Sequence, residues 1–495
     1  MNRRTFIRNA AVTSAFAGLA ATPASLIAKD SFPLARRRES ESFPKYFWWG
    51  VSTSSYQIEG GVKDGGRGPS ICDTFSHRPG AIKNGDTGDV ACDHYNRYAE
   101  DVKLMAELGV KHYRFSISWS RVIPDGRGVV NERGLDFYCR LVDELRRHDI
   151  TPHATLYHWD LPQALQDRYA GWQSREIVKD FADYATVVVS RLGDRITHWI
   201  TWNEIASFCL WGGYNVGKPG NQAPGIKLNT QKEQWQVIHH ALLAHGSACQ
   251  AIRAASPGKC HVAVAENFTS TVPVIETPEH IAAARRAFVS RAPNANILMP
   301  MLTGQYNEKW LAAQKYQAPD IMDGDMKLIG QPLDALGFNC YSGTYVRAAD
   351  NEVGYEVLPS FKNFPKADID GKNVVPESIY WGVRHVGEAA GKPYLPVFIS
   401  ENGCPDGAPA NAHGEVLDTD RIMFLRAYLC NLHRAVDEGY PVIGYFPWSL
   451  MDNFEWDEGF TKRYGLIHID IVTQHRMPKL SYRWYQQVIH ENRLA

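Results

Sequence analysis

Pro396-Val397-Phe398-Ile399-Ser400-Glu401-Asn402-Gly403 decides how this chain folds. A short apolar run rich in β-branched residues reads as a strand buried on both faces, and it stops at a carboxylate followed by an Asn-Gly turn signal. A charge at the end of a buried strand needs a reason, because acidic side chains are seldom buried without partners.

Working outward, the same unit recurs along the chain. A first strand, Tyr46–Val51 within Phe43–Ser52, runs into a Gly-rich loop that carries Gln57 and Glu59. Apolar residues at helical spacing predict a helix over Asp93–Leu108, closed by Gly109, and then a strand over Lys111–Ser116 that passes through Arg114. Helix Glu132–His148 precedes strand Pro152–Tyr157, which ends in His158-Trp159-Asp160. Helix Ser174–Leu192, with Ser174 as its cap, precedes strand Ile196–Trp202, which ends in Asn203-Glu204. Helix Glu233–Ala255 precedes strand His261–Ala265, ending in Glu266-Asn267. Three more strands follow: Ala335–Phe338 before Asn339 and Tyr341, Val397–Ser400 before Glu401, and Val442–Phe446 before Trp448. Helices over Glu377–Ala390, Asp418–Glu438 and Leu480–Glu491 complete the set, whereas Glu266–Pro332 shows no regular pattern.

Eight strands separated by helices predict a parallel sheet, and eight such units closing on themselves make a single (β/α)8 TIM barrel with elaborated βα loops. An open doubly wound sheet is the alternative, but no Gly-x-Gly-x-x-Gly turn follows the first strand. In a barrel every strand's C-terminal end faces one mouth, where polar and aromatic residues gather.

Composition narrows the partner. The 495 residues are 44% hydrophobic and 22% charged, an ordinary globular balance, and the formal net charge of −1 supplies no basic field for nucleic acid or an anionic membrane. A neutral small molecule fits better, and 14 Trp with 23 Tyr provide rings on which sugars or bases can stack as well as rings for the core. Nine isolated cysteines without a Cys-x-x-Cys pair argue against both a disulfide framework and a zinc ribbon. No metal and no cofactor is expected.

At the N-terminus, Arg3-Arg4 precedes an Ala-rich apolar run from Ala10 to Ala21, and small residues around Thr22-Pro23-Ala24 or Ala28 offer cleavage points. This order reads as a twin-arginine export signal over residues 1–30, leaving 31–495 as the (β/α)8 domain, expected in the periplasm or outside the cell. No other run is long and apolar enough to span a bilayer, so the mature chain is expected to carry no membrane span.

Glu204 and Glu401 end the fourth and seventh strands, on opposite sides of the predicted mouth. Two facing carboxyls suit glycoside hydrolysis, in which one protonates the leaving oxygen and the other attacks, or activates water, at the anomeric carbon. Arg114 would set a fixed positive charge beside one of them, lowering that carboxyl's pKa. The residues alone leave open which glutamate takes which part.

These stretches resemble glycoside hydrolase family 1, the β-glucosidase family, from about Phe43 to the C-terminus. The resemblance rests on Phe47-Trp48-Trp49-Gly50 through Gln57-Ile58-Glu59-Gly60, on Tyr113-Arg114-Phe115-Ser116 and on Tyr157-His158-Trp159-Asp160-Leu161-Pro162. It continues in Asn203-Glu204, in Ile399-Ser400-Glu401-Asn402-Gly403 and in Trp448-Ser449-Leu450-Met451-Asp452-Asn453-Phe454-Glu455-Trp456. It implies a retaining exo-β-glycosidase, a β-glucosidase acting on terminal non-reducing β-D-glucosyl residues of cellobiose-type oligosaccharides or glucosides. Glu204 would be the acid/base and Glu401 the nucleophile, supported by Arg114, Asn339 and Tyr341. Gln57, His158, Trp159, Asn203, Trp448, Glu455 and Trp456 would bind the sugar. A transglycosylase with the same carboxyls, or a non-catalytic exported sugar-binding protein, is the alternative.

The chain also departs from the family. Trp202 and Ile205 flank Glu204 where the family more often has a smaller apolar residue and a Pro, and Cys340 replaces a usual aromatic. In Gly371-Lys372-Asn373-Val374-Val375-Pro376, Lys372 stands where a Trp commonly floors the leaving-group site. Flat aryl leaving groups are therefore expected to gain less from stacking here.

Overall fold

The computed structural model describes residues 42–360, 365–367 and 372–494. The export segment read from the sequence lies outside them, as does Gly371. Eight parallel strands form a closed barrel: β1 (Trp48–Ser52), β2 (His112–Ser116), β3 (Thr151–Thr155), β4 (His198–Asn203), β5 (His261–Glu266), β6 (Ala335–Asn339), β7 (Val397–Glu401) and β8 (Val442–Tyr445). They pair in chain order, and β8 closes on β1. All eight are the strands expected from the sequence. The first begins later than Phe43 because Pro44 opens a turn, with the Phe47 N–H donating to the Pro44 carbonyl.

Helices α1 (His94–Leu108), α2 (Glu132–Arg147), α3 (Glu176–Leu192), α4 (Gln231–Ala255), α5 (Pro278–Ser290), α6 (Glu377–Ala389), α7 (Thr419–Asp437) and α8 (Leu480–Glu491) accompany the sheet. α3 starts after Arg175 rather than at the expected Ser174 cap, although the Ser174 hydroxyl accepts the Glu176 N–H at 3.3 Å. The stretch without a legible pattern holds α5, short helices at Met299–Thr303, Glu308–Gln314 and Asp325–Ile329, and a strand at Thr271–Pro273 that joins Thr344–Ala348 and Tyr355–Val357 in a small outer sheet.

The run Val397–Glu401 shows how the barrel makes its site. Val397 and Ile399 pack outward into the layer between sheet and helices, while Phe398 points into the barrel with Ile200, Ala263, Ala265 and Phe446. Strict alternation would then turn Glu401 outward. The β7–β6 register shifts between Ile399 and Glu401, and this irregularity brings Glu401 to the mouth. β4 uses the same device. Thr201 faces α4, its hydroxyl 2.7 Å from His245 Nδ1, and Trp202 also faces outward, 4.2 Å from Trp172 between ring centroids. The β4–β5 register slips between Ile200 and Asn203, so both carboxylate-bearing strands are re-aimed where they reach the mouth. At the opposite end Trp48 packs on His112, His153, His198 and Phe398 and fills the floor.

Candidate active site

Glu401, at the end of β7, is buried with both oxygens engaged. Oε1 accepts from Arg114 Nη1 at 2.6 Å and Oε2 accepts from the Tyr341 hydroxyl at 2.7 Å. Arg114 reaches it from β2, fully buried, and also donates to the Ser400 carbonyl and to Asn203 Oδ1. A guanidinium with this many fixed acceptors makes a charge-assisted contact of defined direction.

Glu204 follows β4 and sits in left-handed backbone, φ 50°. Trp159 (φ 79°) and Trp456 (φ 48°) do the same in neighbouring loops. Non-glycine residues in this region cost about 1–3 kcal/mol each, and such residues concentrate where a side chain must be aimed. The Glu204 Oε1 accepts from Asn339 Nδ2 at 2.8 Å. The sequence places Asn339 beside Glu401; its amide instead spans Asn203 and Glu204, because Ser400 Oγ donates to Asn339 Oδ1 at 2.6 Å and turns the N–H groups toward β4. The carboxyls are thus joined by one hydrogen-bonded chain: Glu401, Arg114, Asn203, Asn339, Glu204.

The two carboxyls differ in surroundings. Burial first, and then the negative charge of Glu401, push the Glu204 pKa up to about 7. A carboxyl with this pKa still holds its proton near neutral pH, as a general acid must, while the partner with a guanidinium and a phenol against it is arranged for attack. The loss of kcat/KM as pH rises is therefore expected to be centred near pH 7, the basic limb reporting Glu204. The alkaline side of the profile is the check, and Glu204→Gln is expected to abolish that limb along with most of the activity.

The cavity in front of the pair is lined by His158, Trp159, Asn203, Glu204, Tyr341, Glu401, Trp448, Glu455 and Trp456. The rings form one wall: His158 is stacked 5.7 Å from Trp448 and 6.0 Å from Trp456, and Trp159 lies 4.6 Å from Trp456. Burial and Arg114 depress the His158 pKa, so the ring is neutral, and its Nε2 accepts from Asn203 Nδ2 at 3.1 Å. Nδ1 then carries the proton, and among the described residues it has no protein partner. Trp448 Nε1 donates to Glu455 Oε1 at 3.2 Å, and burial raises the pKa of Glu455 well above the usual range.

Gln57 lies behind the cavity wall, its side chain hydrogen-bonded to Glu455. It is fully buried and does not line the cavity; its amide donates to Asn453 Oδ1 and to the Phe454 carbonyl while Ser54 Oγ donates to its Oε1. In this arrangement Gln57 anchors the loop that presents Glu455. Several wall residues carry no sequence signal, among them Ser207, Asn221, Gln222 and Asp457, and they come from loops and short helical turns whose course no periodicity reveals. Lys372 does line the outer cavity, and its charge acts on Glu204. Beneath Glu204 lies a third carboxyl, Glu266 at the end of β5, whose pKa burial and then Glu204 push up to about 8. The strand-end argument that singled out Glu204 and Glu401 applies to it equally.

The chain is similar to proteins of known sequence and structure. The model of glycosyl hydrolase family 1 matches residues 39–494. A 1,4-beta-D-glucan glucohydrolase of Thermotoga neapolitana is 42% identical over 92% of this chain and 100% of its own length, and Beta-glucosidase A of Acetivibrio thermocellus is 41% identical over 91% of this chain and 99% of its own. The solved structure of the Thermotoga maritima beta-glucosidase in complex with deoxynojirimycin superposes with a TM-score of 0.82 at 40% identity, covering 92% of this chain and 100% of that one. The chain belongs to glycosyl hydrolase family 1.

Proposed function

We propose that the chain is a retaining exo-β-glucosidase that releases terminal non-reducing β-D-glucosyl residues from oligosaccharides or glucosides. The observation that carries this reading is the unequal pair at the mouth: Glu401 gripped by Arg114 and Tyr341, and Glu204 with its pKa raised to about 7. Glu401 attacks the anomeric carbon while Glu204 delivers its proton to the leaving oxygen. The resulting carboxylate of Glu204 then takes a proton from water, which displaces Glu401. His158 Nδ1, Asn203, Trp448 and Glu455 are suited to the hydroxyls, and the Trp faces to the sugar's C–H surface. Retention of the anomeric configuration during hydrolysis of a β-glucoside is the test.

Lys372 bears on the leaving group. In Lys372→Trp, a ring able to stack replaces an exposed cation on the cavity wall. An offset aromatic pair contributes about 0.5–1.5 kcal/mol, so kcat/KM for aryl glucosides is expected to rise roughly 2- to 10-fold while that for cellobiose changes less. An unchanged aryl-glucoside value would contradict a leaving-group contact at this position.

We infer further that the enzyme is exported through a twin-arginine signal and works in the periplasm or outside the cell, a reading supported by Arg3-Arg4, the run Ala10–Ala21 and the small residues after it. Exchange of both arginines for Lys is expected to leave active enzyme in the cytoplasmic fraction; unchanged export would overturn the assignment.

A further inference from the structure

Glu204 depends on backbone that cannot hold itself. Its φ of 50° is unfavourable for a glutamate, and the helical turn that follows it is short: Ile205 and Ala206 lead directly into a six-residue π-helix at Ser207–Gly212. The first N–H groups of such a turn have no partner within the turn itself and need acceptors from elsewhere. β5 supplies them. The Ala265 carbonyl accepts the Glu204 N–H at 2.8 Å. Glu266, fully buried, accepts the Ile205 N–H at 2.8 Å on Oε2 and the Ala206 N–H at 3.3 Å on Oε1, which also takes the Asn267 N–H at 3.1 Å. Asn267 Nδ2 donates to Ser207 Oγ at 2.6 Å, and Ser207 hydrogen-bonds Glu204 in turn. Three consecutive residues of one strand end therefore grip the four-residue segment that carries the proton donor.

We propose that Glu266 is a positioning residue for proton transfer: by accepting both N–H groups that follow Glu204 it fixes that residue's backbone and so aims its carboxyl at the leaving oxygen. Glu266 does not line the cavity. Its effect on proton transfer is exerted through Glu204, and the proposal rests on the reading of Glu204 as the acid/base. The pairing also explains a local oddity. Ile205 occupies the first position of the turn, where a residue without an N–H, such as Pro, would need no acceptor. An amide there and a carboxyl beneath it belong together.

The consequence is a split by leaving group. Misaiming an acid by about 1 Å costs roughly 10²-fold where protonation is needed, and nothing where the leaving group departs unaided. In Glu266→Leu the two N–H groups lose their acceptor, so kcat/KM for cellobiose is expected to fall roughly 30- to 100-fold. For dinitrophenyl β-glucoside, whose phenolate leaves without a proton, kcat/KM is expected to stay within about threefold. Adding Ile205→Pro to Glu266→Leu removes the strongest of the orphaned donors and is expected to restore most of the cellobiose activity.

Equal losses on both substrates, no loss on either, or a double variant no better than Glu266→Leu would each overturn the proposal. Should Glu266→Leu not fold, Glu266→Gln keeps the size of the side chain but presents an NH2 group to one of the N–H donors, and the same split is then read from it. Glu204→Gln, assayed beside these variants, keeps the two claims apart. If it hydrolyses cellobiose like the wild type, the acid/base assignment fails; if it is inactive while Glu266 variants show no split, the positioning role alone fails.

Discussion

Glu401→Ala is expected to lower kcat/KM for aryl β-glucosides on the order of 10⁵-fold, the scale of loss seen when a nucleophile is removed from a site that acts as a unit. Removing this carboxylate also deprives buried Arg114 and Tyr341 of their shared acceptor. An unpaired buried charge costs about 3–5 kcal/mol, so the Ala variant mixes loss of the nucleophile with damage to the fold. Glu401→Gln separates the two causes. Its amide oxygen keeps one donor satisfied, and the variant should fold with a thermal midpoint nearer that of the wild type yet be just as inactive. Azide sharpens the expectation. In Glu401→Ala the small anion enters the space left by the carboxylate and attacks from the same face, while Glu204 still protonates the leaving group. The product is α-glucosyl azide, formed by one inversion. Turnover by Glu401→Gln comparable to that of the wild type would remove Glu401 from the mechanism.

Glu204→Ala gives the complementary pattern. General acid catalysis contributes about 10²–10⁴-fold, and that amount should be lost from kcat/KM for substrates with poor leaving groups, with little loss for dinitrophenyl β-glucoside. The glycosyl-enzyme then forms but lacks a base to activate water, so it accumulates, and a burst of phenolate precedes slow turnover. Azide needs no base and attacks the intermediate, giving β-glucosyl azide after two inversions. The two variants thus yield opposite anomers from the same nucleophile and substrate. If Glu204→Ala and Glu401→Ala gave the same anomer, the roles assigned to the two carboxyls could not both stand.

The barrel is legible because its strands are short, β-branched and bounded by helical periodicity, so Val397–Ser400 and its seven counterparts can be placed from pattern alone. The carboxyl pair is legible because strand order places the ends of the fourth and seventh strands at one mouth. What pattern does not carry is the register slip at each of those ends. Period-two alternation would turn Glu401 away from the mouth, and only the irregular pairing of Ile399 and Glu401 with β6 reverses it. Asn339 serves the other carboxyl than expected for a similar reason: which way an amide turns is settled by Ser400 Oγ, a partner on a neighbouring strand. The motif around Gln57 points to the sugar, whereas its buried contacts with Asn453 and Phe454 depend on a loop nearly four hundred residues away in the chain. The stretch 266–332 shows no pattern because α5 buries a face made mostly of alanines (Ala283, Ala284, Ala287) with Phe288, its other elements are short, and its π-helical and α-helical turns around Asn294–Thr303 are mostly buried rather than amphipathic.

The most direct measurement on the central claim is the configuration of the first product. Glu401 forms a covalent glycosyl-enzyme, water attacks it from the side of Glu204, and the sugar leaves with the configuration it entered. Proton NMR recorded in the first minutes of hydrolysis of an aryl β-glucoside should show β-glucose alone, with the α-anomer growing in later by mutarotation. α-Glucose as the first product would mean that water attacks the substrate directly, as it does between carboxyls about 6.5–9.5 Å apart, and would contradict Glu401 as the nucleophile.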